Sequence, residues 1–195
     1  MAQRQIVLIQ GHPDPAGGHL DHALADVYAA GATEAGHSLA WLAPAAMELP
    51  FLHNQAEFNA PSDIAAVRQA QAAIADAAHL VIVYPLWLGT MPAVLKNFFE
   101  QVLRPGFALD EAKQSRGAQL LRGRSARIII TMGMPALAYR WWYGAHSLKS
   151  LERNILRFCG IAPVRATLFG MAGQTDQKAA QRHFSKVRAL GRRGA

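Results

Sequence analysis

The chain has 195 residues, 51% of them apolar and 17% charged, a composition that suits one globular domain spanning residues 1–195 and excludes a disordered chain. No apolar run approaches the roughly 20 residues that cross a bilayer, so a membrane-embedded protein is not expected. Cys159 is the only cysteine, which rules out an internal disulfide and any clustered cysteine metal site. The net charge of +7 is uneven: residues 1–111 carry 4 Lys/Arg against 11 Asp/Glu, and residues 112–195 carry 16 against 2. The arginines form no single basic arm and accompany no recognition motif, so nucleic acid is not an expected partner.

Ile6–Gln10 is a β-branched run bounded by Gly11 and Pro13. It is too short for a signal-peptide core and predicts a first strand in a cytoplasmic protein. Leu20–Ala35 has Leu20, Leu24, Val27 and Tyr28 at helical spacing, with Gly36 as its stop. Ser38–Leu42 predicts a second strand, and Pro61-Ser62-Asp63 opens a second helix running to about Ala77. Leu80–Tyr84 is a fully apolar strand, the kind covered on both faces. Pro92 suits the first position of a helix through about Leu103. Arg127–Met132 predicts a fourth strand, Leu148–Cys159 a helix, Val164–Phe169 a fifth strand, and Thr175–Leu190 a last helix before a GRRGA tail that reads as disordered.

Alternating strands and helices imply a parallel sheet with helices on both faces, joined by right-handed crossovers. Five such units predict a three-layer α/β, flavodoxin-like fold with strand order 2-1-3-4-5, whose ligands bind beyond the carboxyl ends of the strands. The loops after strands 1, 3 and 4 are therefore the ones to inspect.

Gly11–His19 leads into the first helix, and its glycines let backbone N–H groups turn toward an anion at the helix terminus. The same residues also suit an ordinary turn. Tyr84–Pro92 puts Trp87 beside Gly89 at the end of a central strand, fitting either a flavin wall or a plug that closes the core. The loop from Thr131 to His146 is longer than a tight connection needs. It gathers Tyr139, Arg140, Trp141, Trp142, Tyr143 and His146, residues suited to stacking, proton transfer or a dimer contact. His12, His19 and His22 cluster in sequence but form no helical ligand pair, so no metal is expected.

The run YPLWLGTMPAVLKNFFEQVLRPGFAL, Tyr84 to Leu109, resembles the signature of the flavodoxin-like NAD(P)H:quinone oxidoreductases, the family of DT-diaphorase, the modulator of drug activity and the potassium-efflux ancillary flavoproteins. TMGM at Thr131–Met134 and FCG at Phe158–Gly160 are similar to segments of that family too. The resemblance implies a flavin held by His12, by the phosphate turn Ala16, Gly17, Gly18 and His19, and by Pro85, Leu86, Trp87 and Leu88 along the ring. Thr131, Met132, Gly133 and Met134 would hydrogen-bond the flavin's pyrimidine edge through their backbone. Tyr139 and His146 fall at or near the family's catalytic tyrosine and histidine. Gly17 and His19 stand where the family usually offers Ser and Asn, so phosphate binding would rely on backbone amides.

The implied activity is ping-pong reduction of a quinone or related small acceptor by NAD(P)H. The short chain favours FMN, with FAD left open. A flavin-bound electron carrier or regulatory ancillary subunit of a membrane transport system shares every motif. The resemblance also implies a homodimer, for which the apolar Phe98–Leu109 region and the Trp-rich loop offer contact surfaces.

Overall fold

The computed structural model describes residues 3–110, 119–174 and 176–195. Its centre is a sheet of five parallel strands among the described residues, β1 (Gln5–Gln10), β2 (Ser38–Leu42), β3 (His79–Pro85), β4 (Ser125–Thr131) and β5 (Val164–Phe169), in the order β2-β1-β3-β4-β5. This is the expected topology. All seven residues of β3 are buried, as a strand covered on both faces requires.

The strand period of two divides the core into two layers. Val7, Ile9, Leu80, Ile82, Ile128 and Ile130 face one side. There they pack against α3 (Ala65–Asp76), α4 (Ala93–Val102) and the segment from α6 (His146–Lys149) through the π-type turn Ser150–Leu156. Ile6, Leu8, Val81, Val83 and Ile129 face the other, against α1 (Leu20–Glu34) and α7 (Gln177–Arg193). Each fully buried aliphatic side chain of this kind contributes roughly 1.5–3 kcal/mol. Helices α1 and α7 approach through glycines: a Cβ on Gly31 would lie 2.3 Å from the Arg188 carbonyl oxygen, and one on Gly191 2.2 Å from that of Tyr28. Glu34 pairs with Arg188 and Arg192 across the same contact.

Several expectations need correction. The GRRGA tail is ordered: α7 continues to Arg193, and Gly194 caps it in a left-handed conformation while its carbonyl accepts a 2.9 Å hydrogen bond from Arg4 Nη1. The expected helix start at Thr175 lies outside the described residues. The long fourth loop contains α5 (Ala136–Trp141), and the next helix begins at His146 rather than Leu148. A short helix, α2 (Gln55–Asn59), stands where none was expected; Asn54 caps it by accepting from the Glu57 N–H at 2.9 Å. The Phe98–Leu109 region is not an open contact surface, because Phe98, Phe99, Val102 and Leu103 are core residues.

Candidate functional site

The three loops meet at the carboxyl ends of the central strands. Leu86 donates its N–H to the Thr131 carbonyl at 2.8 Å, joining the third-strand loop to the fourth. Thr131 Oγ1 donates to the Asp21 carboxylate at 2.9 and 3.1 Å, joining β4 to the first turn of α1. His12 meets Trp87 edge-on, with ring centroids 6.2 Å apart, joining the first loop to the third. The residues expected to line one site are thus brought together by three separate contacts.

The loop after β1 turns through Gly17 and Gly18, both left-handed at φ 84° and 80°, a conformation glycine adopts without a Cβ penalty. No atom of the described residues lies within 4 Å of either missing Cβ, so backbone is presented to open space on their side. The N–H groups of Gly17, Gly18 and His19 have no backbone partner among the described residues. They stand at the positive end of the fifteen-residue α1. Ala16 instead spends its N–H on Asp14 Oδ1. Asp14 also pairs with His19 Nε2 at 2.9 Å, which holds its carboxyl below the usual range.

His12 is buried and stacks on His19 with centroids 4.0 Å apart. Its Nδ1 accepts the Asp14 N–H at 3.1 Å, which leaves the neutral ring's proton on Nε2. Burial, reinforced by His19 and His22, pushes its pKa below the ordinary histidine value. Among the described residues no group of three or more His, Cys, Asp and Glu side chains is arranged to hold a metal. Cys159 is buried, and burial pushes its thiol up to about 12, so it is chemically inert.

Leu86 follows Pro85 out of β3, and residues 87–90 then close a tight turn. Trp87 and Thr90 exchange N–H···O bonds of 2.9 Å, with Leu88 and Gly89 both at positive φ. Trp87 is 51% exposed and Leu88 106% exposed. Neither closes the core, which removes the plug reading of this loop. Beside them opens a cavity of about 450 Å³, bounded also by Met91, Lys96, Ser147 and Ile155.

In the fourth loop, Met132 cannot serve as expected through its backbone, since its N–H is donated to the Phe169 carbonyl at 2.9 Å. Thr131 belongs to the β4 ladder. The N–H groups of Gly133 and Met134 are the two left without a backbone partner among the described residues. Tyr139 is 2% exposed, and its hydroxyl pairs with Ser147 Oγ at 2.7 Å and accepts the Leu148 N–H at 3.1 Å. It therefore reaches the cavity only through Ser147. His146 is exposed, as are Leu137, Trp141, Trp142 and Tyr143.

Sequence reasoning missed Asp21 and Ser147. An acid in a helix's first turn reads as an ordinary complement to the dipole, with nothing local to show that it is buried. Burial pushes Asp21 up to about 6, although the Thr131 hydroxyl hydrogen-bonds its carboxylate.

Known proteins share this fold. The profile of a family described as flavodoxin-like fold matches residues 4–190. The chain belongs to that family. It is 32% identical over 139 residues to an uncharacterized NAD(P)H oxidoreductase of Haemophilus influenzae, spanning 67% of each chain. The resemblance carried by Tyr84–Leu109 is borne out at the level of family, and the flavodoxin-like chain is an oxidoreductase. Among solved structures it superposes on the NAD(P)H:quinone oxidoreductase of Methanothermobacter marburgensis with a TM-score of 0.82, at 21% identity over 98% of this chain and 96% of that one. An FMN-dependent NADH-azoreductase of Bacillus anthracis, solved in complex with FMN, gives 0.75 at 16% identity over 97% and 98%. At those identities the two structures establish the fold.

Proposed function

We propose that this chain is an FMN-dependent NAD(P)H oxidoreductase that reduces quinones or related small acceptors, azo compounds included, by a ping-pong cycle. The observation that carries the reading is the meeting of unspent backbone donors with exposed apolar side chains at one strand edge. Gly17, Gly18 and His19 offer three N–H groups to a phosphate, Gly133 and Met134 offer two to a polar ring edge, and Trp87 with Leu88 supplies an apolar wall. That donor set fits a flavin mononucleotide. When bound, FMN supplies two-electron hydride chemistry that no side chain can perform.

The chain's own part is positioning and proton handling. The Thr131–Asp21 and Leu86–Thr131 hydrogen bonds fix the turn that presents Gly133 and Met134, so these donors need no reorganisation when charge develops near them. Ser147 borders the cavity and shares a hydrogen bond with Tyr139, so a proton can pass between Tyr139 Oη and a group at the cavity wall through Ser147 Oγ. His146 is held for the same proton traffic at the exposed end of the loop. Exposed Leu88, Leu137, Trp141 and Trp142 form the surface that a second copy covers in a homodimer acting in the cytoplasm.

The test is optical. Purified protein is expected to take up FMN at micromolar concentration, to bleach with NADH or NADPH without oxygen, and to recolour with a benzoquinone or an azo dye. Failure to bind either FMN or FAD ends the proposal. Bleaching without turnover of any acceptor favours the carrier or ancillary-subunit role. Tyr139→Phe is expected to slow turnover by roughly tenfold or more while FMN stays bound. An unchanged rate removes the Tyr139–Ser147 pair from proton transfer.

A further inference from the structure

The amino ends of the strands carry a cluster that the proposed chemistry leaves unused. A cavity of about 220 Å³ lies there, lined by Arg4, His79, Arg127, Arg165 and Arg193, and also by Ala195. Arg4 precedes β1, His79 opens β3, Arg127 and Arg165 lie near the starts of β4 and β5, and Arg193 ends α7. The parallel register sets Arg127 directly beside Arg165. Like charges placed side by side on adjacent strands repel, and among the described residues no Asp or Glu side chain lines the cavity, so the carboxylate of Ala195 is set against four guanidinium groups and offsets one charge of the four. Among the described residues none of these four arginines forms an ion pair with a carboxylate side chain.

Two of the lining side chains are buried and incompletely satisfied. His79 is 3% exposed and Arg127 8% exposed. His79 Nδ1 pairs with Ser125 Oγ at 2.7 Å and Arg127 Nη1 donates to Thr167 Oγ1 at 3.3 Å, yet His79 Nε2 and Arg127 Nε have no hydrogen-bond partner among the described residues. Burying a cation and leaving its donors unused is costly unless an anion completes the set. The pressure is already visible on His79, pushed down to about 4 by burial and then by Arg4, Arg127 and Arg165.

We propose that this cavity is a second ligand site, for a compact multivalent anion of the phosphate type, either free phosphate or the phosphate group of a small ester. Guanidinium forks match tetrahedral oxyanions in bidentate fashion, which a monovalent halide does not exploit. The volume lies below the roughly 300–1,000 Å³ typical of drug-sized ligands, so the site admits a phosphate group and not a dinucleotide. It stands about 20 Å from the flavin-type loops, the length of a six-residue strand. It therefore does not duplicate their phosphate turn, and it does not depend on the function proposed above. The basic second half of the sequence supplies three of the four arginines.

The test titrates the full chain with inorganic phosphate, and in a second arm with glycerol phosphate, at ionic strength held constant with chloride. Calorimetry follows binding, and NMR follows the His79 ring. The expected result is saturable binding that shifts the His79 signals and weakens at least about tenfold in the double variant Arg165→Gln, Arg193→Gln. Both substitutions are at exposed positions and leave the core intact. Tighter binding of glycerol phosphate than of phosphate identifies an ester as the ligand, and the reverse identifies the free ion. No saturation below about 10 mM, or equal affinity in the double variant, overturns the site.

Discussion

The two ends of the sheet meet an anion in opposite ways. The carboxyl end uses backbone: N–H groups at Gly17, Gly18, His19, Gly133 and Met134 have no backbone partner among the described residues, and four residues of the first and third loops sit at positive φ. The amino end uses side chains, with four arginines and a buried histidine around one small cavity. Backbone donors present a fixed, uncharged frame that suits a large planar ligand with its own internal charges. Arginines supply net charge but no such frame, which suits a small ion. Each end also buries a group pushed far from its ordinary pKa, the acid Asp21 at the carboxyl end and the base His79 at the amino end.

Those two groups give the largest effect that separates the ends. Asp21 titrates at about 6 in the folded chain against 3.8 for the unfolded reference. The native state then binds more protons between those values, so stability is lost as pH rises from about 4 to about 6. His79 titrates at about 4 against 6.5, so the unfolded state binds more protons and stability is lost as pH falls from about 6.5 to about 4. Each displacement corresponds to about 3 kcal/mol. With opposite signs over one window they nearly cancel. Denaturant unfolding of Asp21→Asn between pH 4 and 6.5 is expected to show stability climbing with pH by about 3 kcal/mol relative to the parent profile, and His79→Gln the reverse slope. Parallel profiles for both variants would show that neither group is held as the structure places it.

The sheet was legible because its signals are local. Runs such as Leu80–Tyr84 and Ile128–Ile130 announce buried strands, and their alternation with helices leaves one topology. Gly17, Gly18, Trp87 and Gly133 could be read as candidate-site residues because each lies in a loop at the carboxyl end of a strand, where ligands of this topology bind. Asp21 and Ser147 were not, since each takes its role from a partner far along the chain or across a loop, Thr131 in one case and Tyr139 in the other. The tail failed for the same reason. Gly191 and Gly194 look like helix breakers, yet Gly191 packs against the Tyr28 carbonyl and Gly194 caps α7. The short helix α2 had a readable signal in Asn54 and Glu57, a capping pair three residues apart. The arginine cluster was visible only as an excess of charge until the register put Arg127 beside Arg165.

A smaller effect tests whether the strain at the carboxyl end serves the site. Leu88 holds φ 47° with its side chain fully exposed. A left-handed leucine costs about 1–2 kcal/mol, and an exposed side chain returns no packing energy to offset it. Glycine removes that strain but loses about 0.5–1 kcal/mol to the greater freedom of the unfolded chain. Leu88→Gly is therefore expected to be neutral or stabilising by up to about 1 kcal/mol, a rise in Tm of roughly 2–4 °C at most for a chain this long. If Leu88 were an ordinary surface residue, nothing else would change. If its side chain forms the wall of the flavin pocket or the face covered by a second copy, the same variant loses FMN affinity or shifts toward monomer in sedimentation while melting no lower than the parent. A more stable protein with weaker assembly or weaker cofactor retention would show that this loop is strained in favour of contacts the isolated chain does not make. Unchanged FMN binding and an unchanged sedimentation profile would reduce Leu88 to an accident of the turn and leave Trp87 as the sole apolar wall.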